Sequence, residues 1–203
     1  MNLLGTFTLV FVALATPGPN NLFMTRAAAA SGMRATVPAA IGVALGGLAM
    51  LLLSHVGLAT VLLGAPELRQ AILVAGSAVL IYGGLRIVAS AHRRQHAPEL
   101  HDGSAPAGVA ALFLFQFVNP KAWTLSLTIA AAMPASIHSG ADAVAVSAIY
   151  ACFLLVSMAC NLGWAAFGQV ASRWLGTAAR RTHFDRAMGL LLAGSAGLFL
   201  LQP

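Results

Sequence analysis

A single lysine interrupts an apolar stretch in FLFQFVNPKAWTLSL, where Lys121 directly follows Asn119 and Pro120. A related cluster, TPGPNN (Thr16 to Asn21), lies 101 positions earlier, counted from Pro120 back to Pro19. Both clusters hold the residues that restart a helix. Asn119 is a favoured N-cap and Pro120 suits the first helical position. Gly18 and Pro19 can play the same parts, and Asn20 and Asn21 offer polar side chains to the opened backbone. A restarted helix aims unpaired N–H groups and partial positive charge at the break. That is a site for an anionic group such as a carboxylate, and Lys121 adds a full positive charge. The candidate binding residues are therefore Pro17, Gly18, Pro19, Asn20, Asn21, Asn119, Pro120 and Lys121. Lys121 is also the candidate for carrying a proton. Soluble catalytic machinery is missing: the sequence has no Ser/His/Asp set, glycine-rich phosphate loop or acidic pair, and no metal or cofactor site is expected.

The elements around these residues must lie in a membrane. Hydrophobic residues make up 59% of the 203 and charged residues only 8%, against roughly 25% charged in soluble domains. Such a chain cannot cover a water-facing surface, so its surface must face lipid. The net charge of +6 comes from short basic clusters between apolar runs. These fit loops at an anionic leaflet better than a nucleic-acid partner, and none is expected.

A helix needs about 20 apolar residues to cross the hydrocarbon. Six runs qualify: 3–26 with the break inside it, 37–63, 68–88, 109–133, 141–168 and 187–201. Their connections are short except 92–107 and 169–186, and the latter (QVASRWLGTAARRTHFDR) is expected to hold a short interfacial helix. Ala13-Leu14-Ala15 resembles a signal-peptidase site, but MNLLGTF lacks the basic n-region, so no cleavage is expected. No soluble domain fits, and residues 1–203 are expected to form one transmembrane domain.

Nine arginines (26, 34, 86, 93, 94, 173, 180, 181 and 186) fall in alternate loops, and the opposite loops hold only Arg69. The basic side should be cytoplasmic, with both termini outside. The two breaks then lie near the bilayer midplane, one in each half of the chain. Three spans per half give the halves opposite orientations. The expected fold is an all-α integral membrane protein of six helices. It is built as two inverted three-helix repeats, about 1–91 and 108–203, with helices one and four broken. A lone proline would be read as a kink; two proline–asparagine clusters at matching depths are not. A mid-membrane lysine costs roughly 2.5–3.5 kcal/mol on insertion scales. Its stem cannot snorkel the ~15 Å to the interface. The five acids, Glu67, Glu99, Asp102, Asp142 and Asp185, all lie near loops, so Lys121 must find carbonyls, water or a ligand carboxylate.

Other polar residues say less. Gln116, Thr124, Ser126 and Thr128 share the run with Lys121, Asn161 is expected to bond between helices, and His55 is expected near the outer interface. Gly42 and Gly46 form a GxxxG that predicts close helix packing, within the chain or in a homodimer. Tyr82-Gly83-Gly84 should let another helix approach. Cys152 and Cys160, eight positions apart in one run, rise about 12 Å along a helix, too far for a disulfide.

At these residues the chain resembles the lysine-exporter (LysE/RhtB) family of bacterial amino-acid exporters. The resemblance is carried by TPGPN (Thr16–Asn20), SGMRA (Ser31–Ala35), the Gly42–Gly46 pair, YGGLR and FVNPKAW (Phe117–Trp123). It implies a secondary exporter of an amino acid in the bacterial inner membrane, multi-pass, driven by proton exchange. It implies that Pro17, Gly18, Pro19, Asn20, Asn119, Pro120 and Lys121 take the family's motif positions. Members that export basic amino acids are expected to use an intramembrane acid in the first half; run 37–63 has none, which favours a neutral, zwitterionic substrate. Two other classes remain: a membrane thiol/redox carrier, and a non-transporting membrane assembly factor.

Overall fold

The structure is a computed structural model, described here for residues 3–58, 61, 64–96, 108–133 and 143–200. The regular elements among these residues are helical. In chain order they are α1 (Leu3–Ala15), α2 (Pro19–Ser31), α3 (Met33–Leu53, continued by a π-helical turn, Ser54–Leu58), α4 (Pro66–His96), α5 (Val109–Phe117), α6 (Pro120–Ala132), α7 (Ala143–Trp174) and α8 (Ala178–Leu200).

Local chemistry places most of the boundaries. Prolines open α2, α4 and α6, where the missing N–H costs nothing. Glu67 lies in the first turn of α4 and Arg173 in the last turn of α7, each on the favourable side of the helix dipole. A single residue, Gly32, joins α2 to α3 at φ 83°, a conformation that L side chains rarely adopt. Pro38 lies inside α3 without ending it.

Among the described residues, three unbroken helical stretches are long and apolar enough to cross a membrane: Met33–Gly57, Pro66–His92 and Ala143–Ser172. Phe7–Ala15 and Pro19–Ser31, bent by 55° at the first break, make a fourth as one broken span. Large apolar side chains such as Leu114, Val144, Leu155 and Leu190 lie on the outside, as a lipid-facing surface requires.

Two sequence-based boundaries need correction. Residues 169–186 hold no separate interfacial helix: α7 runs on to Trp174 and α8 starts at Ala178, nine residues before the expected span at 187. Only Leu175, Gly176 and Thr177 lie between them. Asp185, expected near a loop, lies inside α8 and forms an ion pair with Arg26 of α2 at 3.0 Å. That pair rewards helix in a segment whose charges hid it from an apolar-run criterion.

Packing is closest where glycines stand. A Cβ on Gly42 would meet the Val109 carbonyl oxygen at 2.3 Å, and one on Gly46 the Phe113 carbonyl oxygen at 2.6 Å. The expected GxxxG contact is therefore between α3 and α5 of one chain. Gly84 of α4 and Gly189 of α8 face one another in the same way. Two apolar clusters flank the breaks. One gathers Val10, Leu51, Leu125, Ile129 and Phe153, and the other Met24, Ala39, Val43, Leu112 and Ala165. Cys152 and Cys160 are free thiols on α7.

Candidate substrate site at the helix breaks

Both helices break where the sequence interrupts them. Between α1 and α2 the chain leaves helical geometry at Thr16–Gly18, and Gly18 is the N-cap of α2 in extended conformation. Between α5 and α6 it does so at Val118–Asn119, and Asn119 caps α6 with its side-chain oxygen accepting from the Lys121 backbone N–H at 3.1 Å. Pro19 and Pro120 each take the first helical position and are buried.

The carbonyls left unpaired at the helix ends are met by side chains across each break. Asn21 Nδ2 donates to Leu14 O at 3.0 Å and to Thr16 O at 2.8 Å. Trp123 Nε1 donates to Phe117 O at 2.8 Å. The expectation for Asn20 is corrected: it serves the other break, not its own opened backbone. Asn20 Nδ2 donates to Gln116 Oε1 at 2.9 Å, and Asn20 Oδ1 accepts from Gln116 Nε2 at 3.2 Å and Asn119 Nδ2 at 3.1 Å. Asn20 is thereby joined to two residues that lie 96 and 99 positions further along the chain. The two breaks face each other at hydrogen-bond range.

Lys121 reaches the first break directly. Its Nζ donates to Thr16 O at 2.6 Å, and its stem fills the space that a side chain on Gly18 would occupy: a Cβ there would stand 2.8 Å from Cδ and 2.9 Å from Nζ. Lys121 thus finds a carbonyl, one of the three partners expected for it. The ammonium has three donors, so a ligand or water can be held beside Thr16.

A cavity of about 30 Å³ lies between the two apolar clusters, lined by Gly18, Asn20, Asn21, Gln116, Lys121, Ser126 and Ser157 among others. That is room for about one water molecule. Thr16 and Pro17, by contrast, are exposed on the surface of the chain.

Of the expected residues, Gly18, Asn20, Asn21 and Lys121 line the cavity, Asn119 joins the network, Pro19 and Pro120 shape the helix starts, and Pro17 faces outward. Gln116 was underrated. It is buried and holds Asn20, and its signal was a lone amide in the apolar run FLFQF. Ser126 and Ser157 carried no signal beyond being hydroxyls in apolar helices. Asn161 does not bond between helices: its Nδ2 donates to Ser157 O at 2.8 Å within α7. His55 Nδ1 pairs with the Tyr150 hydroxyl, linking the end of α3 to α7.

Helices long and apolar enough to cross a membrane, with two breaks that meet, have the layout of the broken helices of secondary-transporter folds. The chain belongs to the LysE type translocator family, which it matches over residues 11–203. It is also 39% identical over 90 residues to an uncharacterized membrane protein of Pseudomonas aeruginosa; the matched stretch covers 44% of this chain and 41% of that relative. The chain thus spans about two fifths of the length of that relative. No solved structure matches it.

Proposed function

We propose that the protein is a secondary active exporter of a small neutral amino acid or related zwitterion. It would work in the bacterial inner membrane, by proton exchange with alternating access. The observation that carries this reading is the meeting of two restarted helices over a mid-chain lysine. The substrate carboxylate takes the helix starts at Asn20 and Asn119, with the Lys121 ammonium as counter-charge. Pro17, Gly18, Pro19, Asn21 and Pro120 hold the backbone open around it. When no carboxylate is bound, Thr16 O or a lost proton relieves the lysine, and this alternation is the basis of proton coupling. The ~30 Å³ cavity is too small for an amino acid, so loading requires the two halves to part.

The same reading takes residues 1–203 as one domain of six spans in two inverted repeats. The helix contacts support it. With α1/α2 matched to α5/α6, α3 to α7 and α4 to α8, the pairs α3–α7 and α4–α8 join equivalent helices. Contact α3–α5 is matched by α1–α7, α3–α6 by α2–α7, and α4–α6 by α2–α8. A pseudo-two-fold axis lying in the membrane plane would produce these pairings.

Two measurements test these points. Vesicles carrying the protein and preloaded with a panel of amino acids should release a neutral member faster than protein-free vesicles; release of lysine and arginine alone would overturn the substrate class. For topology, single cysteines placed beside Arg94 and at the C-terminus, in a chain without its native thiols, should react with an impermeant reagent from opposite sides. Reaction of both from one side would remove the inverted repeat.

A further inference from the structure

A second and larger cavity, of about 410 Å³, lies between α2, α4, α5 and α8. It falls in the range of ligand sites, roughly 300–1,000 Å³. Its walls are apolar, with Leu22, Phe115 and Leu192 among them, and two arginines, Arg26 and Arg86, also line it. It is separate from the polar cavity: Pro19, Leu22, Phe23 and Arg26 form one face of α2 along it, while Asn20 and Asn21 serve the other cavity. Val79, Tyr82, Arg86 and Ala111 along its edge are exposed, so it opens sideways, where lipid lies.

Depth and charge identify the occupant. Pro19 stands at the break, and Arg26 is seven residues further along α2, about 10 Å at helical rise. Half the hydrocarbon core is about 15 Å. The groove therefore runs from the level of the break toward the arginine-rich side of the chain. Arg26 gives its Nε to Asp185 at 3.0 Å, and a guanidinium has further donors. Arg86 lies over the Tyr82 ring, 5.9 Å from its centroid. An apolar slot that ends in guanidinium groups matches an acyl chain with a phosphate at its head. Among the described residues that line it there is no acid to receive the ammonium of a zwitterionic solute. We propose that this groove binds one anionic phospholipid, its chain against Leu22, Phe115 and Leu192 and its phosphate at Arg86 and Arg26, bracing α2 against α4.

The test uses the purified full chain, stripped of lipid in detergent, with its melting temperature followed on adding phosphatidylglycerol, phosphatidylcholine or inorganic phosphate. Phosphatidylglycerol should raise the melting temperature by several degrees, and the other two should not. Arg86→Gln and Ala111→Trp, both at exposed positions, should melt like wild type without lipid and lose the rise. An equal rise with phosphatidylcholine, a rise with phosphate alone, or a rise retained in both variants would overturn the site. Export is not the readout, so failure here leaves the transport reading untouched.

Discussion

Replacing Lys121 with methionine is expected to cut efflux about 10- to 100-fold while the protein still folds. The size follows from the interaction lost: a hydrogen bond to a charged group contributes roughly 1.5–3 kcal/mol, and each 1.4 kcal/mol is tenfold in rate or affinity. The fold should survive because methionine keeps the stem, and because Thr16 O, which loses the ammonium, still accepts from Asn21 Nδ2 at 2.8 Å. Lys121→Arg should also be poor, for a different reason. Its guanidinium stays charged at any cellular pH, and Gly18 leaves no room for a longer fork, since the lysine already lies where a Gly18 Cβ would be. Initial efflux rates at matched protein levels, with melting temperature as the folding control, measure both variants. Lys121→Met exporting at the wild-type rate would remove the lysine from the mechanism.

The second large effect is structural. Gly46→Leu should lower the melting temperature by about 5–10 °C, on the scale of 2–4 °C per kcal/mol for a chain of this size. Even the first carbon of that side chain would stand 2.6 Å from the Phe113 carbonyl oxygen and 2.7 Å from Gln116 Cγ. Backbone cannot yield as a flexible side chain does, so α3 and α5 must separate, at a cost in the upper part of the overpacking range or beyond. The separation would also draw Gln116 from Asn20 and so open the contact between the breaks. Gly163→Ala is the control: beyond the backbone of its own helix, nothing among the described residues lies within 4 Å of its added Cβ, and its melting temperature should match or exceed that of the parent. If Gly46→Leu melts with wild type, α3 and α5 are not packed through these glycines.

The parts of this fold that were legible in the sequence are those written in backbone chemistry. Pro19, Asn119 and Pro120 mark helix starts wherever they occur, and Gly42 and Gly46 mark a close contact although not its partner. What stayed hidden depends on tertiary partners. Asn20 looked like a local cap because its neighbour Asn21 is one; only the approach of α5 turns its amide toward Gln116. The join between α7 and α8 was obscured by the charges of ARRTHFDR, which look like loop until Arg26 supplies Asp185 with a partner. Asn161 looked like interhelical glue, but its amide turns back to Ser157 on its own helix.

The central claim is that a substrate carboxylate is held at the facing breaks and exchanged for protons. The most direct measurement loads vesicles with a neutral amino acid or with its amide, which keeps the ammonium and lacks the carboxylate. Efflux of each is then recorded with and without an acidic exterior. Fast release of the amino acid is expected, faster still when the exterior is acid, with release of the amide no faster than from protein-free vesicles. Equal, protein-dependent release of acid and amide, or a rate indifferent to the pH gradient, would contradict it.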